Sequence, residues 1–158
     1  LPYGKILSPS EEMPTLTYNC INRHISRVVR TRMVSATSPW ANDPTILEAK
    51  THLVPISHGE GRIIISDELA KDLFAKGQVY TQYVTEEGVP VMSEPDNPNG
   101  SMFAIEGITS LDGRILGKMG HSERTIGALA NGKSDSLLKN ISGDNCQNLF
   151  AAGVRYFN

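Results

Sequence analysis

Residues 102–124, MFAIEGITSLDGRILGKMGHSER, contain the strongest local fold signal in the chain. Two strand-like segments, 102–111 and 114–119, flank Asp112-Gly113, a pair that suits the type I′ turn of a tight β-hairpin. Gly120-His-Ser-Glu-Arg124 follows the second segment directly. The pattern predicts an antiparallel hairpin that ends in a histidine and a glutamate.

The rest of the chain mixes helix-like and strand-like patterns. A helix is predicted over Asp67–Lys76, because Ser66 can cap its start, one face is apolar, and Gly77 can end it. Strands and helices alternate, so the class is α/β or α+β. Strands are predicted near 26–34, 51–57 and 78–85, a short helix near 125–130, and loops at 1–16 and 94–100.

Composition narrows the classes of function. The 158 residues match the size of one domain, and a net charge of −2 argues against a nucleic-acid-binding protein. No apolar run reaches the roughly 20 residues of a membrane span. The two cysteines are too few for a disulfide framework, and no leader-like segment follows Leu1. We therefore expect a piece of a longer cytoplasmic protein that contacts neither nucleic acid nor membrane.

Two His-x-Glu units are candidates for chemistry, 58–60 and 121–123. In an extended segment, residues i and i+2 point to the same side, so Glu123 could fix the tautomer of His121 and leave its other nitrogen as a general base. The alternative is an ordinary surface pair. The position of His121, between a strand and a helix, favours catalysis.

Two loops remain open to more than one interpretation. His58-Gly-Glu-Gly-Arg62 could bind an anion or a carboxylate, or could be a turn with Glu60 and Arg62 paired on the surface. Asn97-Pro-Asn-Gly-Ser101 is either a simple turn or a polar surface suited to an amide substrate.

Neither a metal site nor a nucleophile is evident in the sequence. The spacing of the four histidines matches no metal-ligand pattern, so no metal is expected. No serine is framed by glycines, and Cys20 and Cys146 also lack the small neighbours of a nucleophile elbow; both cysteines are expected to be buried packing residues.

Three motifs in this order and spacing, 58–62, 97–101 and 120–124, resemble the glutaminase region of phosphoribosylformylglycinamidine synthase, an enzyme of purine biosynthesis. The ending Gly153-Val-Arg-Tyr-Phe157 also resembles that family. The resemblance covers roughly residues 14–157.

The resemblance implies a class I glutamine amidotransferase domain with a Cys-His-Glu triad. The fold would be a three-layer, flavodoxin-like α/β domain with a mixed sheet that includes the 102–119 hairpin. The family's histidine and glutamate correspond to His121 and Glu123. Ammonia released from glutamine would pass to a synthetase domain, which uses ATP and Mg²⁺ to convert formylglycinamide ribonucleotide to the amidine. Residues that match the other motifs, and would bind substrate or support the site, are His58, Glu60, Arg62, Asn97, Asn99 and Ser101.

The chain departs from the family pattern in two places. Ser122 stands where the family usually has proline, and both functional side chains remain. Leu1-Pro-Tyr-Gly4 resembles the segment after the elbow helix, so residues 1–158 are expected to form one partial domain that lacks the nucleophile. The implied partners are glutamine, the N-terminal part of the glutaminase domain and the synthetase domain. Alone, the chain is expected to be inactive; the alternative is a non-catalytic docking or regulatory module.

Overall fold

The computed structural model describes residue 7 and residues 13–49, 51–125 and 147–158. Residues 122–125 are also helical, where the described part of the chain ends. The helices are α1 (Pro44–Glu48), α2 (Asp67–Ala75) and α3 (Leu149–Phe157), with 3₁₀ turns at Pro39–Ala41 and Met102–Ala104. The strands are β1 (Thr15–Thr17), β2 (Ile25–Met33), β3 (His52–His58), β4 (Arg62–Ile64), β5 (Val79–Tyr83), β6 (Ile105–Thr109) and β7 (Leu116–Lys118).

The main sheet has the strand order β3-β2-β5-β6-β7, and each neighbouring pair is antiparallel. Beyond β7, Gly120 forms a bridge with Ile56 of β3, so the two edges of the sheet curl towards each other. A second, two-stranded antiparallel sheet pairs β1 with β4. This closure brings the end of the hairpin against β3.

The α/β class is confirmed, but the described strands show no parallel pair of the expected mixed sheet. Parallel neighbours need a crossover, usually a helix. Here α1 lies between β2 and β3, which are antiparallel neighbours, and α2 connects β4 of the small sheet to β5 of the large one. Neither α1 nor α2 therefore joins parallel strands.

The predicted hairpin is confirmed, with Gly107 opposite Lys118 and Thr109 opposite Leu116. The type I′ turn is wrong: Gly113 has a φ of +71°, but the φ of Asp112 is not positive. The Asp112 carboxylate instead accepts hydrogen bonds from Ser110 Oγ at 2.6 Å and from the Arg114 amide at 3.2 Å. These bonds hold a wider loop between the strands.

Helix α2 follows its predicted signals. Ser66 Oγ accepts from the Leu69 amide at 3.3 Å, and Gly77, at a φ of +67°, ends the helix. Its apolar face contributes Ala70 and Leu73 to a core formed mainly with β4, β5 and β6. The described helices include none that is long and apolar enough to cross a membrane.

The other predictions differ mainly at their ends. The strands near 26–34, 51–57 and 78–85 are β2, β3 and β5, and 94–100 is a loop as expected. Residues 15 and 16 of the predicted 1–16 loop belong to β1, because they pair with Ile64 and Ile63. The predicted helix near 125–130 is described only at Thr125, and residues 126–130 lie outside the described part.

Candidate functional site

His121 and Glu123 form a hydrogen-bonded pair just beyond β7. The distance from His121 Nδ1 to Glu123 Oε1 is 2.7 Å. An ionised carboxylate can only accept, so Nδ1 carries a proton, and in the neutral imidazole Nε2 then has the lone pair. The His121 side chain is 31% exposed, so the pair is open to a further group.

The charge of Glu123 is favoured by its surroundings. Partial burial acts to raise the pKa of this carboxyl, but hydrogen bonds from its own amide and from His121 outweigh burial and lower the pKa. Glu123 is therefore ionised at neutral pH and can orient the imidazole.

The closure of the sheet fixes the backbone at His121. The His121 amide donates to Pro55 O of β3 at 2.8 Å, next to the Ile56–Gly120 bridge. A Cβ on Gly120 would lie 2.6 Å from Val54 Cγ2, so only glycine allows this approach. The backbone leading into the pair is thus held against β3.

A buried ionic group lies behind the pair. The carboxylate of Glu106, in β6, accepts from the Gly120 amide at 2.5 Å and from Thr81 Oγ1 of β5. Lys118 Nζ lies 3.8 Å from this carboxylate and donates to Ser122 Oγ at 3.2 Å. Burial lowers the pKa of Lys118, although Glu106 and Glu123 oppose the shift. These contacts connect the interior of the sheet to the segment that carries His121.

The turn at 58–62 is organised around Asn19, which is fully buried. Asn19 Nδ2 donates to His58 O at 2.7 Å and to Arg23 O at 2.9 Å. Asn19 Oδ1 accepts from the Gly61 amide at 3.2 Å and lies 3.1 Å from His58 Nδ1. Because the Gly61 amide is already bonded, the turn does not offer it to an anion.

The side chains of the 58–62 turn differ in their exposure and in their contacts. Glu60 is exposed and forms no ion pair with Arg62 in the described structure, so the alternative of a surface pair is not observed. Arg62 is half-buried, and its Nε lacks a hydrogen-bond partner. The pKa of His58 is lowered, first by burial and also by the nearby charge of His121. The fold therefore brings His58 within electrostatic reach of His121.

The loop at 97–101 packs against the 58–62 turn and bonds to it at Gly61 O. Asn97, Asn99 and Ser101 are fully buried. Asn99 Nδ2 and Ser101 Oγ donate to Gly61 O at 2.8 and 3.1 Å, and Asn97 Oδ1 accepts from the amides of Gly100 and Ser101. Asn99 and Ser101 therefore hold the 58–62 turn, and Asn97 holds the 97–101 loop itself. Since these polar groups are engaged inside the protein, they do not present an amide-binding surface.

A cleft of about 210 Å³ lies between α3 and the segment that carries the pair, and it is lined by Glu123 but not by His121. The polar part of its wall is formed by Lys118, Ser122 and Glu123, and the apolar part includes Trp40 and Leu149. The described residues contain no group of three or more histidine, cysteine or acidic side chains that could hold a metal ion. The one chemical property that the geometry gives directly is a histidine oriented by a carboxylate, an arrangement that can transfer protons.

Sequence reasoning missed Asn19, Thr81, Glu106 and Lys118. A signal existed for Glu106, because a carboxylate amid Ala104, Ile105 and Ile108 interrupts an otherwise apolar strand. Cys20 was expected to be buried but is exposed, with Sγ 3.7 Å from Pro98 O. Cys146 lies outside the described residues.

Comparisons with known proteins give a consistent family. The profile of the CobB/CobQ-like glutamine amidotransferase domain matches residues 1–157. The phosphoribosylformylglycinamidine synthase subunit PurQ of Salinibacter ruber is 31% identical over 133 residues, covering 81% of this chain and 55% of that protein. The same subunit of Treponema denticola is 35% identical over 147 residues, covering 90% and 52%. The chain thus spans about half the length of these relatives.

The fold has a counterpart among solved structures. The structure of PurLQS from Thermotoga maritima contains a chain that matches with a TM-score of 0.62 at 21% identity, covering 92% of this chain and 54% of that one. At this identity the likeness concerns the fold. The family is determined by the family profile, which matches residues 1–157 of this chain. The chain belongs to the CobB/CobQ-like glutamine amidotransferase family.

Proposed function

We propose that this chain provides the general base, and the carboxylate that orients it, for glutamine hydrolysis in phosphoribosylformylglycinamidine synthase. The observation that carries the proposal is the 2.7 Å contact between His121 Nδ1 and Glu123 Oε1 in a member of a glutamine amidotransferase family. The curated relatives named as the PurQ subunit of that synthase support the choice of reaction.

The proposed chemistry begins with a proton transfer to His121. Its Nε2 takes the proton of a cysteine thiol, and the thiolate attacks the side-chain amide carbon of glutamine. The imidazolium then protonates the leaving nitrogen, which departs as ammonia and leaves a thioester for water to hydrolyse. Glu123 holds the imidazole in one tautomer and stabilises its charged form.

The nucleophile in this proposal comes from outside residues 1–158. Neither cysteine has the sequence of an elbow, and Cys20 lies in a turn between β1 and β2. The chain would therefore act together with the rest of the glutaminase domain. Purified alone, it is expected to release no glutamate from glutamine.

The same proposal includes the later steps of synthesis. Ammonia would pass to the synthetase, where ATP and Mg²⁺ support conversion of formylglycinamide ribonucleotide to the amidine. This chain would bind neither cofactor. We place the enzyme in the cytoplasm, as the cysteine content and the biosynthetic reaction suggest.

A non-catalytic docking or regulatory module is the competing proposal. Such a module would have no need for a carboxylate held against His121, and the 2.7 Å contact between His121 Nδ1 and Glu123 Oε1 therefore favours the catalytic role. The presence of a Gly-x-Cys-x-Gly elbow in the rest of the domain would separate the two proposals.

The test is His121→Ala in the complete enzyme, measured with glutamine and with ammonia as the nitrogen source. We expect the glutamine-dependent rate to fall by about 10²–10⁴-fold, the usual contribution of a general base, and the ammonia-dependent rate to stay unchanged. His24→Ala is the matched control, because His24 is exposed on the turn before β2. Equal loss of both activities in His121→Ala would refute the assigned role.

A further inference from the structure

Glu106 is a fully buried carboxylate directly behind the segment that carries His121. It lies in β6 between β5 and β7, the strands that bring Thr81 and Lys118 to its two sides. A carboxylate in such a position is costly unless its oxygens are hydrogen-bonded. The hydrogen-bond donors to the Glu106 carboxylate are therefore the groups that this carboxylate holds in place.

Its two oxygens have different partners. Oε2 accepts from Thr81 Oγ1, which anchors the carboxylate to the neighbouring strand. Oε1 accepts from the Gly120 amide at 2.5 Å, and Gly120 is the residue before His121. The backbone of Glu106 adds a further bond, because its carbonyl accepts from the Met119 amide at 3.1 Å.

Two consecutive amides before the imidazole are thus fixed by two different elements. Glu106 holds the Gly120 amide from β6, and Pro55 O holds the His121 amide from β3. Together they set the direction in which the His121 side chain leaves the backbone. The imidazole then meets Glu123 at 2.7 Å.

We propose that Glu106 is a positioning residue: its carboxylate fixes the Gly120 amide and thereby aims the His121 imidazole at Glu123. The property that matters is an acceptor at the right distance from Gly120. The alternative is a structural role in which the negative charge of Glu106 compensates the buried Lys118, 3.8 Å away.

Two substitutions of Glu106 separate the effect of the distance between its acceptor oxygen and the Gly120 amide from the effect of its negative charge. Glu106→Gln keeps the length of the side chain and an acceptor oxygen for Gly120 but removes the charge. Glu106→Asp keeps the charge but withdraws the carboxylate by about 1.5 Å, the length of one carbon–carbon bond. The proposal predicts that Gln preserves the geometry of His121 and Asp does not, whereas the structural role predicts the reverse order.

The direct readout is the tautomer of His121 in the full chain, measured by ¹⁵N correlation NMR at alkaline pH and assigned with His121→Gln. We expect the Nδ1–H form in the unsubstituted protein and in Glu106→Gln, and a mixture of tautomers in Glu106→Asp. Glu86→Gln, at an exposed carboxylate, is the control. A single Nδ1–H form in every variant, or a greater change in Gln than in Asp, would overturn the proposal.

If circular dichroism shows that the Glu106→Asp variant does not fold, the Thr81→Val variant is measured in its place. It removes the partner of Oε2 and frees the carboxylate to rotate away from Gly120, so the same mixture of tautomers is expected. An unchanged tautomer in folded Thr81→Val would refute the role of Glu106.

The kinetic measurement rests on the proposed function, unlike the NMR measurement. In the complete enzyme, Glu106→Asp should lower kcat with glutamine by about 10–100-fold, as small misplacements of catalytic groups do, with the KM for glutamine and the ammonia-dependent rate unchanged. If the unsubstituted enzyme showed no glutaminase activity, the proposed function would fail while the tautomers still decided the role of Glu106.

Discussion

Asn19 is the side chain on which the 58–62 turn depends most, and Asn19→Ala is therefore a stringent test of how that turn is held. The substitution removes four contacts, to His58 O, Arg23 O, the Gly61 amide and His58 Nδ1. Both hydrogens of the Asn19 amide are used on carbonyls, so Oδ1 is the acceptor and His58 Nδ1 is the donor.

The magnitude follows from which groups lose their partners. Arg23 is exposed, so its carbonyl can bond to water when Asn19 is lost. Gly61 is buried and His58 is half-buried, and a buried polar group without a partner costs about 1–3 kcal/mol. Three such groups lose their partner: the Gly61 amide, His58 O and His58 Nδ1. Because His58 is only half-buried, we take the low end of that range for each group, which gives an expected loss of about 3 kcal/mol in the free energy of unfolding.

Urea unfolding followed by circular dichroism measures this loss. Asn42→Ala is the matched control, because Asn42 is exposed and surface substitutions change stability by less than about 0.5 kcal/mol. A loss below about 1 kcal/mol in Asn19→Ala would show that water replaces the amide and that Asn19 is not the residue that holds the turn.

Two further predictions concern stability. Burial, followed by the charge of Lys118, lowers the pKa of His52 from 6.5 to about 4, so the unfolded state binds the proton more tightly. Stability should therefore fall as the pH falls from 6.5 to 4, by at most about 3 kcal/mol, and His52→Leu should flatten the pH dependence of the urea midpoint; an unchanged pH dependence would contradict this. Ser66→Ala should cost about 1 kcal/mol by removing the N-cap of α2, and Ser66→Asp should restore most of it. Equal stability of the Ala variant and the unsubstituted protein would show that the cap contributes nothing.

The sequence predicted those structural features that depend on residues only a few positions apart in the chain. The N-cap at Ser66, the stop at Gly77 and the hairpin around Gly113 are all decided within a few positions. The pairing of His121 with Glu123 belongs to the same class, because the two residues are only two positions apart. These features were predictable without knowledge of the tertiary fold.

Contacts between distant segments were not predictable in this way. Asn19 lies about forty residues from the turn that it holds, and nothing around it in the sequence distinguishes it from an asparagine in a loop. Phe103 and Ala104 have positive φ values of 54° and 57° before β6, a conformation that neither residue favours locally. Distant contacts decide the role of Asn19, and at Phe103 and Ala104 the tertiary structure overrides the local preference.

The dependence of His121 on contacts within this chain also bears on how a complete site would assemble. Its amide, the preceding amide and its Nδ1 are held by Pro55, Glu106 and Glu123 respectively, all in the described part of the chain. None of these contacts needs the cysteine that the proposed reaction requires. If His121 is the base of the proposed reaction, these contacts would orient it independently of the nucleophile, and assembly of the site would consist of bringing the thiol to a fixed imidazole. Such preorganisation lowers the cost of reaching the reactive geometry, because the histidine and its carboxylate need not move.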